Sequence, residues 1–166
     1  GDFSGRAAET LLVADLPGLA ASRVLLTGLG ARKAFGRKPW RKAWTAAVGA
    51  LAKTGVASAA VALERPDTEA LDDYHYGRAV AEIASIALYR INDLKTARKP
   101  KPAALKRVLA GPAAKGSSKA LERGLAHGAA IAEAAKVQRD LANLPGNICT
   151  PRYLAEQARA LARSHR

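Results

Sequence analysis

The residues best suited to do chemistry in this sequence are basic ones, gathered in two segments. No acidic residue occurs between Leu16 and Leu63, and the first basic segment lies inside that stretch, around Trp40. The second segment contains prolines and reads as a loop. Lysines and arginines on loops contact phosphates without reading bases, so the two segments predict a DNA-binding surface with weak sequence preference. The first comprises Arg32, Lys33, Arg37, Lys38, Arg41 and Lys42, and the second Lys95, Arg98, Lys99, Lys101, Lys106 and Arg107.

The charge of the whole chain allows a second interpretation of these segments. The sequence has 27 basic and 14 acidic residues, a formal net charge of +13. Such an imbalance favours a polyanionic partner. It is equally the charge that an acidic domain of the same protein would balance, and the basic segments are then a solvated surface. Composition alone leaves both interpretations open.

Other catalytic and binding motifs are weak. Gly28-Leu29-Gly30 follows a predicted strand, but Lys33 occupies the place of the third glycine of a dinucleotide-binding fingerprint, so a strand-ending turn is expected. The three histidines are far apart, and the single cysteine has no partner in a metal-binding pattern. The acids of segment 64–73 lack the spacing of a calcium loop and predict a solvated turn before a helix. His75 and His127 are expected to be surface or half-buried structural residues, and Cys149 a small packed side chain; the third histidine is His165.

Hydrophobic periodicity predicts alternating strands and helices. Strands are expected at 10–13, 23–27, 56–63 and 105–109, the third of them buried and parallel because it is a continuous apolar run. Helices are expected at 40–51, 76–91 and 118–143, and a last one begins with Thr150 as N-cap and Pro151 in the first turn. Gly55 is the expected C-terminal cap of the first helix. The alternation predicts an α/β fold with three α/β/α layers and a mixed, mostly parallel sheet, followed by a long helix.

The long helix carries a stripe of small residues, Gly124, Gly128 and Ala132. Charged residues on the same helix argue against a membrane span, so the stripe predicts close packing on the core. No apolar run approaches the roughly 18 residues of a membrane span. The single cysteine and the absence of a signal peptide at the start favour the cytoplasm. The sequence lacks methionine and ends within an amphipathic pattern, so both ends are expected to be cut.

Three segments resemble one known family. They are Arg-Val-Leu-Leu-Thr-Gly-Leu-Gly at 23–30, Leu-Lys-Thr at 94–96, and Arg-Asp-Leu-Ala-Asn-Leu-Pro-Gly-Asn-Ile-Cys-Thr-Pro at 139–151, followed by Tyr153-Leu154-Ala155. The last is similar to the Asn-x-Pro-x-Asn segment that precedes the catalytic domain of cytosolic leucine aminopeptidases. On this resemblance, 1–115 is the non-catalytic amino-terminal domain with its beginning missing. Residues 116–143 form the helix that closes it, and 144–166 form the linker and first helix of the catalytic domain.

The resemblance implies a hexameric enzyme that removes amino-terminal residues from peptides with two divalent metals, manganese or zinc. The family's metal-ligand motifs, Gly-Lys-Gly-x-Thr-Phe-Asp-Ser-Gly-Gly and Asn-Thr-Asp-Ala-Glu-Gly-Arg, are absent here, so no catalytic or metal-binding residue is assigned to this chain. Its implied partners are its own catalytic domain and further copies of the enzyme, and its implied role is assembly and active-site access. Because the family's amino-terminal domain resembles macro domains, nucleotide binding is a further, less favoured expectation.

Overall fold

Short strands alternate with longer helices along the chain. The computed structural model describes residues 1–65, 71–90, 104–110 and 118–164. A single 3₁₀ turn, Arg32–Ala34, precedes the first helix. In chain order the elements are β1 (Thr10–Ala14), β2 (Arg23–Thr27), α1 (Arg37–Leu51), β3 (Ser58–Val61), α2 (Asp73–Leu88), β4 (Arg107–Ala110), α3 (Ser118–Ala142) and α4 (Pro151–Ser164).

The strands form one antiparallel pair and one parallel pair. β1 and β2 run antiparallel, with Thr10 opposite Thr27 and Ala14 opposite Arg23. β3 and β4 run parallel, and α2 makes the crossover that a parallel pair requires. Within the described part of the chain, β2 and β3 are not hydrogen-bonded to each other.

The core lies between α1, α2 and one face of the strands. The largest fully buried side chains are Trp40, Trp44 and Val48, all on one face of α1. The Trp44 indole N–H donates to the carbonyl of Val80 at 3.1 Å, and the Trp40 ring meets the ring of Tyr76 edge-on at 5.4 Å between centroids. These contacts hold α1 and α2 side by side and in parallel, because Trp40 is level with Tyr76 and Trp44 with Val80.

α3 packs along α2 at very short range, in a contact that we call the α2–α3 seam. A methyl group built on Gly124 would overlap the Tyr74 carbonyl, and one built on Gly128 would overlap the Arg78 carbonyl. From the other side, Gly77 faces the backbone of α3. The predicted packing of the small-residue stripe on the core is confirmed, because only glycine lets the two backbones approach this closely.

Polar contacts mark both ends of the seam. The Tyr74 hydroxyl is 3.0 Å from His127 Nδ1, and the Tyr89 hydroxyl donates to Asp140 at 2.8 Å. Burial raises the pKa of the Tyr89 hydroxyl, and its bond to the Asp140 carboxylate raises it further.

The predicted α/β class, with mixed strand pairing and a long helix after it, is confirmed. One expectation about the strands is wrong: β3 is four residues long and half-exposed rather than fully buried. The reason is that the described helices cover only one of its faces, so Val61 packs on the core while Ser58 and Ala60 remain exposed. Gly55 does not cap α1, which ends at Leu51. Gly55 adopts a left-handed φ of +72° in the turn that follows.

Candidate interaction surfaces

Five basic side chains form an exposed patch where the 3₁₀ turn meets the start of α1. None of them has a carboxylate within ion-pair distance among the described residues. The first turn of α1 has no acidic residue, although the helix dipole favours acids there. The positive charge therefore does not serve the stability of α1. We call this patch the α1 basic surface, and it consists of Arg32, Lys33, Arg37, Lys38 and Lys42.

One residue of the predicted site, Arg41, and the neighbouring Trp40 make contacts inside the fold instead. The Arg41 guanidinium is 3.3 Å from the Glu82 carboxylate on α2, so it joins the two helices. Trp40, around which the basic residues cluster in sequence, is fully buried, so no face of its ring is exposed for stacking on a nucleic-acid base. Its indole N–H is buried without a hydrogen-bond partner among the described contacts.

Four of the six basic residues of the second segment fall outside the described residues. This holds for Lys95, Arg98, Lys99 and Lys101. Lys106 and Arg107, at the start of β4, are described, and both are exposed. A joint surface of the two segments therefore stays a prediction.

The carboxylates around α2 are engaged in structural contacts. Asp73 accepts from Arg65 at 2.8 Å, and Arg65 also lies over the Tyr76 ring, 4.4 Å from its centroid. Asp72 caps α2 by accepting from the backbone N–H of His75 at 2.8 Å. That bond, aided by the His75 ring, holds the pKa of Asp72 below its usual range. Burial raises the pKa of the Tyr76 hydroxyl.

The described residues do not fit a metal centre. Across 1–65, 71–90, 104–110 and 118–164, no three side chains of His, Cys, Asp or Glu gather in a way that would hold an ion. His75 and His127 bond to Asp72 and Tyr74, while His165 lies outside the described residues.

β2 ends at Thr27, but the turn predicted at Gly28 and Gly30 is absent: both residues bond back to the segment before β1. The Gly28 N–H donates to Glu9 at 2.8 Å and the Gly30 N–H to Gly5 at 3.0 Å, so both amides bond within the fold. A methyl group on Gly28 would overlap the Arg6 carbonyl. Because both amides already donate hydrogen bonds within the fold, they do not bind a phosphate.

Sequence reasoning missed a groove of about 840 Å³ between β2 and β3. Both strands line it, and apolar side chains of α1 form its floor, namely Trp44, Ala47 and Leu51. We call it the β2–β3 groove. The sequence predicted both strands but carried no signal for the space between them, because neighbours in a sheet are set by contacts distant in sequence.

A second missed surface is the apolar side of α4. None of the described residues of α4 is buried, and Leu154 and Leu161, together with Ile148 before the helix, are exposed. Thr150 accepts from the Tyr153 N–H at 3.3 Å, so the predicted N-cap is confirmed. No helix in the described part of the chain is both long and apolar enough to cross a bilayer.

Residues 1–98 match the family model described as "Cytosol aminopeptidase family, N-terminal domain". The chain belongs to the cytosol aminopeptidase family. The resemblance found in the sequence is thereby confirmed.

Curated relatives agree over the full length of the chain. A probable cytosol aminopeptidase of Alkalilimnicola ehrlichii is 38% identical over 167 residues, covering 98% of this chain and 33% of that protein. One of Nitrosococcus oceani is 38% identical over 168 residues, covering 100% of this chain and 33% of that protein. The chain thus spans about a third of the length of these relatives.

Solved structures show the same fold. A tomato leucine aminopeptidase matches with a TM-score of 0.78 and 25% identity, covering 98% of this chain and 31% of that one. The bottromycin maturation enzyme BotP, in complex with Mn, matches with a TM-score of 0.74 and 27% identity, covering 98% of this chain and 32% of that one.

Proposed function

We propose that these residues are the amino-terminal, non-catalytic part of an aminopeptidase that releases amino-terminal residues from peptides. The observation that carries the proposal is the match of residues 1–98 to the family's N-terminal domain, in a chain that spans a third of its relatives. Hydrolysis then belongs to residues outside this chain. The names of the relatives support a cytoplasmic location.

The chemistry of the parent enzyme would need a metal site that this chain does not supply. Two manganese or zinc ions side by side polarise a peptide carbonyl and lower the pKa of a bound water. The BotP structure, solved with Mn, supports metal dependence in a protein of this fold. Two described carboxylates serve structure instead: Glu82 pairs with Arg41 and joins α2 to α1, and Asp73 pairs with Arg65 and joins α2 to the segment after β3.

Activity measurements test the non-catalytic assignment. The 166-residue chain, incubated with a leucine anilide and excess Mn²⁺ or Zn²⁺, is expected to give no turnover above a metal-only blank. The full-length polypeptide from the same gene is the positive control. Turnover by the 166-residue chain alone would overturn the assignment.

The accessory role is assembly of a homo-hexamer and control of access to the active site, with α4 contacting the catalytic part. The support is that the apolar side chains of α4 are exposed, at 43% for Leu154 and 48% for Leu161. In the full-length polypeptide, Leu154→Ser with Leu161→Ser is expected to reduce assembly, measured by light scattering, and kcat/KM for peptides. The matched control is Leu19→Ser, because Leu19 is 55% exposed in the β1–β2 turn. Equal behaviour of the two variants would remove α4 from the interface.

DNA binding at the α1 basic surface is a separate prediction. Duplex DNA titrated at several salt concentrations should bind with a log–log salt slope that falls by about 0.9 for each phosphate contact removed. The test variant changes Arg32, Lys33, Arg37 and Lys38 to Ala. A charge-matched control changes Lys119, Lys136, Arg159 and Arg163 to Ala. If both variants lose the same affinity, net charge and not this surface is responsible.

A further inference from the structure

A second concave site lies between the last turn of α2 and the second half of α3. It is a cavity of about 400 Å³, which is within the size range of small-molecule sites. It opens where the glycines of the α2–α3 seam end, because α3 lines it from Ala129 onward, directly after Gly128. Tyr89, the residue that follows α2, forms part of its wall. We call this space the Tyr89 cavity.

The floor of the Tyr89 cavity is apolar. On α3 it consists of three alanines, Ala129, Ala132 and Ala135, and on α2 of Ile86 and Leu88. The alanine side chains are short, so they leave open the space beside the larger side chains of α2. Ala132 is buried, whereas Ala129 is exposed. A short aliphatic chain placed on this floor would lose contact with water, which favours its binding.

Four charged side chains surround this floor, three cations and one carboxylate. They are Arg90, Lys136, Arg139 and Glu133. Arg90 donates to the Ala87 carbonyl at 3.1 Å and so caps α2, and Lys136 is 4.0 Å from Glu133. Among residues 1–65, 71–90, 104–110 and 118–164, no carboxylate lies within ion-pair distance of either arginine. The cavity therefore has a net positive charge beside its apolar floor.

Contacts within the fold hold Arg139 in place. Its guanidinium lies over the Tyr89 ring, 5.4 Å from the centroid, and donates to the Ile86 carbonyl at 3.4 Å. The Tyr89 hydroxyl donates to Asp140 at 2.8 Å and accepts from the Asn143 amide at 3.4 Å, which fixes the ring. A guanidinium has five N–H donors, so one long bond leaves most of them for a ligand. Arg139 is thus a preorganised donor at the wall of the cavity.

We propose that the Tyr89 cavity binds a short apolar carboxylate. The carboxylate accepts from the Arg139 guanidinium and the Lys136 ammonium, and the apolar chain lies on Ala132 and Ile86. A planar carboxylate matches the fork of donors that a guanidinium presents. The chain is needed as well, because partly exposed cations alone hold a small anion weakly in water.

Titration of the 166-residue chain with isocaproate, followed by NMR, tests the proposal. Isocaproamide keeps the apolar chain without the charge, and acetate keeps the charge without the chain. Isocaproate is expected to bind at least about tenfold more tightly than either, because each of the two lacks one half of the recognition. The methyl signals of Ala129, Ala132 and Ala135 should shift. Equal binding of isocaproamide, or shifts confined to other residues, would overturn the proposal.

An apolar amino acid has the same carboxylate and chain, so leucine is the second probe. Its additional ammonium group would face Glu133, which lines the cavity and is exposed. Tighter binding of leucine than of isocaproate supports the proposal with an amino acid as the ligand, and the reverse order supports it with a simple acid. Only the interpretation of leucine as a reaction product rests on the proposed aminopeptidase function. The isocaproate titration can therefore succeed or fail independently of that function.

A pair of arginine variants tests the carboxylate contact. Arg139→Gln removes the charge and should weaken isocaproate binding at least about tenfold. Arg123→Gln is the matched control, because Arg123 lies over the Tyr74 ring, 5.2 Å from its centroid, on the same helix but outside the cavity. Its affinity for isocaproate should stay unchanged. If both variants lost the same affinity, net charge would be responsible and the proposal would be wrong.

A pair of alanine variants tests the apolar floor without touching a charge. Ala129 and Ala130 are neighbours on α3 and both are exposed, so a leucine at either position is compatible with the fold. Ala129 lines the cavity and Ala130 does not. Ala129→Leu should fill the space and weaken isocaproate binding at least about fivefold, whereas Ala130→Leu should leave it unchanged. Unchanged affinity in Ala129→Leu would contradict binding of the chain on this floor.

Discussion

The α2–α3 seam and the β2–β3 groove differ in how closely their neighbouring elements pack. At the seam, Gly77, Gly124 and Gly128 allow two helix backbones to touch, and hydrogen bonds fasten both ends. At the groove, two strands of similar length face each other without a bond between them. The helical side is thus closed by direct backbone contact, whereas within residues 1–65, 71–90, 104–110 and 118–164 the strand pairs keep open edges. The difference shows that the helices of this chain pack more completely than its described strands do.

The largest effect is expected from filling the seam. Gly128→Leu should lower the free energy of unfolding by about 3 kcal/mol, because the new side chain collides with the Arg78 carbonyl and the backbones must separate. Urea unfolding followed by circular dichroism measures this change. Gly49 on α1 is the control, since nothing lies within 4 Å of a methyl group built there. Gly49→Ala should raise the free energy of unfolding by about 0.5–1 kcal/mol. An unchanged stability for Gly128→Leu would contradict the close packing.

The same substitution on the two surfaces should give different results. Leu121 is 4% exposed in the seam. Changing it to Ala should lower the free energy of unfolding by about 2–3 kcal/mol, because the lost side chain leaves a cavity. Leu109 is 55% exposed at the groove. Changing it to Ala should lower the free energy of unfolding of the 166-residue chain by less than about 0.5 kcal/mol. Both values come from chemical denaturation. Equal losses would mean that the sheet face is already covered in this chain.

The N-cap of α2 makes the seam sensitive to acid. The pKa of Asp72 is lower in the folded chain than in the unfolded chain, chiefly because its carboxylate accepts the His75 backbone N–H. The stabilisation is therefore fully present above the ordinary pKa of an aspartate and is lost as the pH falls through the lower, folded-state pKa. Asp72→Ala should lower the free energy of unfolding by about 1 kcal/mol at neutral pH and by less in acid.

Asn caps helices as well as Asp does but does not titrate in this range, so Asp72→Asn is the matched control. Its stability should be close to that of the natural chain at neutral pH and should vary less below pH 4 or so. A variant that retained the full acid sensitivity of the natural chain would exclude Asp72 as the responsible group.

The smallest effect is expected on α4, which has no buried residue. Arg152 and Glu156 form an exposed ion pair at 3.1 Å. Arg152→Ala should change the free energy of unfolding by less than about 0.5 kcal/mol, because solvent screens the pair. A larger loss in thermal unfolding would show that α4 packs on the domain.

Local patterns predicted the elements well, and contacts distant in sequence explain what they missed. Periodicity located α1 and α3, since one apolar face recurs at helical spacing. Glycine and alanine spacing on α3 predicted a close contact but not Gly77 as its counterpart, because a sequence pattern shows one face and not what it meets. The pairing of Arg41 with Glu82 joins residues 41 positions apart and left no local signal. The groove was missed for the same reason: which strands are neighbours depends on the whole fold.

The central position of α2 determines the order in which the helices should unfold and become accessible to a protease. α2 is held by Trp40 and Trp44 of α1 on one side and by α3 on the other, whereas α4 has no buried residue. Regions with few buried contacts open without disturbing the remainder. A protease acting on the folded chain should therefore remove α4 first and reach α2 only after global unfolding, which makes α2 the slowest-released fragment.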